Sequence, residues 1–274
     1  MKNVKKVAIV FFCMCSTLLG IAQNKQADAS SKNELKSAKR QRVNELYKME
    51  EEGESGFNKH SIFHIKANTD GWGIGWELGK VKTAFKSTLY QIEFSERKHK
   101  KEEKQTRTNG VLVFGNPFIY GKENNFYQFK LGIGQQWMIG GKGNKNGVAA
   151  YGLATGGISA ALLRPYYMDV EFPANSGKTV QIKYSQADSA RFMGPNIIGG
   201  SGISKGWNEM KVVPGIYAKT AVRFDWGRFN STVSAIETGF NFEYYTSGIH
   251  QMVGVTPNKL FVNGYISLLF GNRK

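Results

Sequence analysis

The chain has 274 residues, a formal charge of +16, 41% hydrophobic and 13% aromatic residues, and 32 Gly against 6 Pro. Beyond residue 22 no segment reaches the roughly eighteen unbroken apolar residues of a membrane-spanning helix. Cys13 and Cys15 are its only cysteines, so everything downstream of them is excluded from disulfide-stapled folds, Cys-ligated metals and thiol chemistry.

The opening Met1-Lys2-Asn3-Val4-Lys5-Lys6 is basic, and an apolar run from Val7 to Ala22 comes next, ending in Gly20-Ile21-Ala22 before Gln23. A basic start, an apolar run too short for an anchor and a small residue at its end predict a secretory signal peptide, residues 1–22. Neither cysteine directly follows a cleavage site, which argues against a lipoprotein. Residues 1–22 carry Lys2, Lys5 and Lys6 and no acid, so their removal lowers +16 to +13. A basic chain invites a nucleic-acid partner, but export argues for no nucleic acid. Outer-membrane lipid and lipopolysaccharide are the expected counter-charges, with plain solvated surface charge as the alternative.

Residues 23–56 are rich in Lys, Glu, Ser and Asn and contain no Trp or Phe. Ser31-x-x-Glu34 has the spacing of a capping box, and Leu35, Ala38, Val43, Leu46, Tyr47 and Met49 form a weak helical stripe. The expectation is a short polar or helical periplasmic arm, with plain disorder as the alternative. With so few large apolar groups, the arm is expected to be dispensable for folding of residues 57–274.

From Lys59 the period changes to two. Trp72, Ile74, Trp76 and Leu78 alternate with Gly73, Gly75, Glu77 and Gly79, and Phe129, Leu131 and Ile133 alternate with Lys130, Gly132 and Gly134. Val222, Phe224 and Trp226 alternate with Arg223 and Asp225, and Phe240, Phe242 and Tyr244 with Asn241 and Glu243. Strands put successive side chains on opposite faces; one apolar face and one polar or glycine face suit lipid outside and a lumen inside. Candidate strands are 59–68, 71–80, 85–97, 110–121, 126–139, 147–163, 179–186, 210–226, 231–246 and 258–270. Turn chemistry falls between them at Asn68-Thr69-Asp70-Gly71, Lys122-Glu123-Asn124-Asn125 and Gly227-Arg228-Phe229-Asn230. The predicted fold is all-β: a transmembrane antiparallel up-and-down β-barrel over 57–274, with about 10 strands and 8 or 12 open. With both termini periplasmic, 98–109 and 187–209 become external loops. A soluble barrel or sandwich is the rival. Long strands, a polar or glycine inner face and aromatics near strand ends (Trp72, Trp76, Trp137, Trp226) favour the membrane.

The stretch Leu260-Phe261-Val262-Asn263-Gly264-Tyr265-Ile266-Ser267-Leu268-Leu269-Phe270 has the form of a barrel-closing last strand, with Gly264, Leu268 and Phe270 matching the glycine and alternating apolar-to-aromatic pattern. Gly271-Asn272-Arg273-Lys274 extend past the aromatic, a departure from that pattern. With the signal ending Gly-Ile-Ala-Gln, the chain resembles the outer-membrane β-barrel proteins of the Bacteroidota over residues 59–274. That resemblance implies a Gram-negative cell envelope, outer-membrane localisation and handling by the barrel-assembly machinery. It carries over no catalytic residue.

Gly140-Gly141-Lys142-Gly143 lacks P-loop spacing, and Gly71-x-Gly73-x-Gly75 is strand alternation rather than a dinucleotide fingerprint. His60 and His64 share a face but lie about 13 Å apart at strand rise, so no metal and no cofactor is predicted. No Ser/His pairing marks a lipid-directed hydrolase, and an enzyme is disfavoured. The candidate site is a lumen charge cluster, Lys219 and Arg223 beside Glu237 and Glu243, on the polar faces of two consecutive strands. It reads as a salt-bridge plug in a narrow barrel; a pore constriction is the alternative. The expected function is an integral outer-membrane β-barrel protein with a structural, adhesive or complex-forming role, an envelope protein complex among its partners. A lipid-directed outer-membrane enzyme and a small channel are the alternatives.

Overall fold

The computed structural model describes residues 36–37, 40–41, 58–83, 85–109, 112–142, 147–174, 176–227 and 232–274. Two units are distinguished, Met1–Gly56 and Phe57–Lys274. In the first, residues 36–37 and 40–41 are helical; the expected signal segment 1–22 and the remainder of the expected arm lie outside the described residues.

The second unit is built from strands β1 (Lys59–Asn68), β2 (Gly71–Thr83), β3 (Lys86–Arg97), β4 (Lys104–Asn109), β5 (Leu112–Ile119), β6 (Asn124–Gly140), β7 (Ala149–Pro165), β8 (Tyr167–Glu171), β9 (Thr179–Lys183), β10 (Ile197–Gly200), β11 (Lys211–Asp225), β12 (Thr232–Ile249) and β13 (Asn258–Arg273). Eight of them close a barrel in the order β1-β13-β12-β11-β7-β6-β3-β2. Every neighbouring pair is antiparallel, and β13 closes the ring on β1 with Phe63 opposite Phe270 and Ile65 opposite Leu268. Closure leaves no unpaired strand edge, which a bilayer would penalise.

The strand number is eight, one of the two alternatives open beside the first expectation of ten. The candidates 110–121 and 179–186 do not enter the ring: β5 pairs with β4, and β9 pairs with β8 in a three-stranded sheet with β10. The reason is length. β9 has 5 residues and β5 has 8, whereas the barrel strands run from 10 to 18. A tilted strand needs about 9–11 residues to cross a bilayer. The expected turn at 122–125 is also shifted, since β6 already starts at Asn124. Of the turn at 227–230, residues 228–230 lie outside the described residues.

The barrel's two ends differ. At the end where β1 begins and β13 finishes, the connections are short. At the other, the β3–β6 connection contains β4 and β5, and the β7–β11 connection contains β8, β9, a helical turn (Ser189–Phe192) and β10. These connections fold on a core of their own, formed by Phe118, Met168, Val170, Phe192 and Ile197 and flanked by Tyr166, Ile182, Tyr184, Met193 and Val253. The segments 98–109 and 187–209, expected as external loops, carry β4, β10 and helical turns of a folded cap. Gly115, at φ 75°, permits the close approach of β5 to β10: a Cβ there would lie 2.4 Å from the Ile198 carbonyl oxygen.

Polarity is inverted relative to a soluble barrel. Ile74, Ile133, Ile158, Phe240, Ile266 and Phe270 are exposed on the outer wall, while Lys66, Glu77, Glu93, Lys219, Arg223 and Glu237 are buried in the lumen. With an apolar outer wall, a polar lumen and no edge, this is the architecture of an outer-membrane β-barrel.

Candidate functional site

The lumen is lined by alternating polar and apolar layers, because every second residue of the ring strands points inward. At the capped end Phe126, Tyr245 and Phe261 pack with ring centroids 5.5–5.9 Å apart, joined by Leu163 and Ile249. Toward the opposite end Leu89 and Leu153 lie beside Tyr265, and Ile62, Val233 and Leu269 form a further apolar layer.

Between these layers lie two ion-pair networks. The first centres on Arg223 of β11, whose guanidinium holds Glu77 of β2 at 2.7 Å and Glu237 of β12 at 2.7 Å. In the ring order β2 stands diametrically opposite β11, so this contact spans the full bore. Lys219 reaches Glu237 at 3.3 Å and Glu93 at 3.4 Å, and Lys66 donates to Glu93 at 2.7 Å. Neutral donors complete the carboxylates: Tyr265 Oη donates to Glu237 at 2.6 Å and Gln91 to Glu77 at 2.9 Å.

The second network lies nearer the cap and centres on Glu243. Lys130 contacts it at 2.5 Å and Arg97 at 3.1 Å, and Gln128 donates to it at 2.6 Å. Arg97 also reaches Asp70 at the β1–β2 turn, at 3.3 Å. Arg97 on β3 and Glu243 on β12 again belong to opposite walls.

Of the four residues singled out from the sequence, Lys219, Arg223 and Glu237 meet in one network. Glu243 does not join them; it lies with Lys130 and Arg97. Sequence reasoning missed Lys66, Glu77, Glu93, Arg97 and Lys130 as partners. Their inward parity on alternating strands was the signal that could have found them.

His60 and His64 both point inward but serve different carboxylates, Glu77 at 3.3 Å and Glu93 at 3.5 Å. Gly79 makes room for the first: a Cβ there would meet the His60 ring at 1.9 Å. Among the described residues no group of three or more His, Cys, Asp or Glu could hold a metal ion. The chemistry this arrangement supports is charge neutralisation among buried side chains, where an unpaired charge is costly.

The outer wall and cap carry the remaining accessible chemistry. Exposed Phe172, Val180 and Ile203 project from the cap. Trp207 stacks on Tyr127 with centroids 5.8 Å apart, and Arg164 lies 4.8 Å above the Trp207 ring.

No protein-family model matches the chain, and no curated protein matches it. Among solved structures the chain is similar to the attachment invasion locus protein Ail of Yersinia pestis, at 11% identity and a TM-score of 0.35, covering 80% of this chain and 99% of that one. It is also similar to Neisserial surface protein A, at 8% identity and a TM-score of 0.34, covering 79% and 94%. A third likeness is to the N-terminal β-barrel domain of Pseudomonas aeruginosa OprF, at 10% identity and a TM-score of 0.31, covering 79% of this chain and 100% of that domain.

Proposed function

We propose that this protein is a closed outer-membrane anchor whose structural, adhesive or complex-forming role is carried by its external cap. The observation behind this reading is the combination of ion pairs that join opposite walls of the ring with a cap that has a separate core. Arg223 and Glu77 meet across the ring, which supports a plugged lumen rather than a channel. The cap buries Phe118, Met168, Phe192 and Ile197 while leaving Phe172, Val180 and Ile203 exposed, which supports a cap that is a rigid scaffold with apolar groups available to a partner. The short-connection end then faces the periplasm. A signal peptide over 1–22, a Gram-negative host of the Bacteroidota, insertion by the barrel-assembly machinery and contact with lipopolysaccharide belong to the same reading.

The test combines conductance with crosslinking. Purified protein in planar bilayers should pass almost no steady current. A photocrosslinking residue at Ile203, in intact cells, should capture an envelope or surface protein, while one at Ile74 should capture lipid alone. A steady ion-selective current abolished by Glu237→Leu would move the protein to the channels. Lipid turnover by the purified barrel would make it an enzyme.

A further inference from the structure

Below the apolar belt, at the short-connection end, three lysines stand side by side on neighbouring strands. Lys59 is directly opposite Lys80 across the β1–β2 pair. On its other side Lys59 exchanges both backbone hydrogen bonds with Lys274, each at 2.8 Å. All three are exposed and share the outward face. Side chains directly opposite in an antiparallel pair have Cβ atoms about 4.5–5.5 Å apart, and like charges there destabilise. Among the described residues no side-chain carboxylate forms an ion pair with any of them, and the Lys274 main-chain oxygen in the row is held by the Asn58 and Lys59 amides; the ion pair nearby, Asp225 with Arg273, is formed on the lumen side. In the same row, Thr88 lies opposite Lys80 on β3, and its hydroxyl is buried without a hydrogen-bond partner.

Three ammonium groups in one row leave an excess of positive charge, and the position of the row identifies what balances it. The next outward row holds Asn272, Ser61 and Leu78, and the one after it Phe270, Phe63 and Trp76. Each step is about 7 Å along the strand. The Trp76 indole donates to Ser61 Oγ at 2.8 Å, as expected of an aromatic at the interface between hydrocarbon and headgroups. The lysine row therefore lies two steps beyond the Trp76 row and one beyond Ser61, whose hydroxyl the indole reaches, at the level of lipid phosphates.

We infer that Lys59, Lys80 and Lys274 form a binding site for the phosphate of an anionic glycerophospholipid in the leaflet at the short-connection end. The inference rests on the proposed membrane orientation of the barrel. A phosphate between the ammonium groups would relieve their repulsion and accept their hydrogen bonds, while the acyl chains run up the belt over Phe63, Trp76 and Phe270. Basic residues beside a membrane surface attract anionic lipid in this way.

The test is urea unfolding of the whole protein in phosphatidylcholine vesicles with and without a minority of phosphatidylglycerol. The parent's midpoint should rise when phosphatidylglycerol is present. The K59Q/K80Q/K274Q variant should lose that rise, and in phosphatidylcholine alone it should be at least as stable as the parent, because the repulsion is gone. Replacing the same lysines by arginine should keep the rise, as should K178Q/K205Q in the cap. Retention of the rise in the glutamine variant would overturn the assignment. An equal rise from inorganic phosphate in phosphatidylcholine vesicles would overturn the lipid as its source. Insertion without any dependence on phosphatidylglycerol would overturn this inference alone, whereas failure to insert into either vesicle would overturn the membrane reading with it.

Discussion

Arg223 on β11 and Glu77 on β2 project from opposite walls of the ring and meet at 2.7 Å, so one side-chain pair spans the barrel. The same guanidinium binds Glu237 at 2.7 Å. Glu77's other ion-pair partner among the described residues is His60, with Gln91 as a neutral donor, so the Arg223 guanidinium is what offsets the repulsion between the two carboxylates. Arg223→Leu should therefore leave buried, uncompensated acid and cost about 3–5 kcal/mol. Arg223→Leu combined with Glu237→Leu should cost less than Arg223→Leu alone. Urea midpoints of the folded barrel in vesicles measure both; the opposite order would show that the network does not stabilise by pairing.

The outer wall gives an independent check. Ile74, Phe129, Phe240 and Ile266 are exposed, Phe240 at 57% and Ile266 at 59%. An arginine at any of them near mid-membrane should cost about 2–4 kcal/mol. Cysteine variants at these positions should resist a water-soluble thiol reagent in intact cells. Rapid labelling would place that wall in water.

Much of the barrel was legible because inside-out alternation repeats on every long strand, as with Trp72, Ile74, Trp76 and Leu78 against Glu77. Alternation does not say which sheet a strand joins. Residues 179–183 alternate locally as a ring strand does, but they are too short to cross and pair instead with β8. The site was legible only between adjacent strands. Arg223 and Glu237 are directly opposite in the β11–β12 register, so a hairpin argument finds them. Glu77 lies 146 residues from Arg223, and only ring closure brings the two together. Glu243 was grouped with Glu237 by shared parity, but six residues along a strand is about 20 Å, which puts it at the level of Lys130 and Arg97.

The cap should be separable from the barrel. Phe192 is fully buried in the cap core beside Met168 and Tyr184, and none of these residues belongs to a ring strand. Phe192→Ala should destabilise the cap by about 3–5 kcal/mol and leave the barrel closed. Limited proteolysis should cut the variant between residues 172 and 196 while its heat-modifiable gel shift persists. Loss of that shift would make the cap part of the barrel's folding unit.

The cap should also respond to pH through Glu209, which ties the turn Trp207–Glu209 to the β8–β9 pair. Lys183 Nζ donates to Glu209 at 2.5 Å and Tyr167 Oη donates to it at 3.0 Å. The lysine hydrogen bond, with the phenol second, holds the Glu209 carboxyl below the usual carboxylate range. The same hydrogen bond holds the Lys183 ammonium above its usual range. A depressed carboxyl contributes stability above its unfolded value, about 4.3, and loses it as pH falls through the lower folded value. A raised ammonium contributes below its unfolded value, about 10.4, and loses it as pH rises through the higher folded value. The tether should therefore be intact across the neutral range and release in acid, as pH falls below the ordinary carboxylate range. Trp207 reports the release, because its ring stacks on Tyr127 and its indole donates to the Ile203 carbonyl at 2.7 Å. Difference fluorescence against Trp207→Phe should be flat from mildly acidic to neutral pH and change on acidification. Glu209→Gln should remove the acid transition without altering the barrel's heat-modifiable shift. An unchanged transition in Glu209→Gln would assign the acid response to another group.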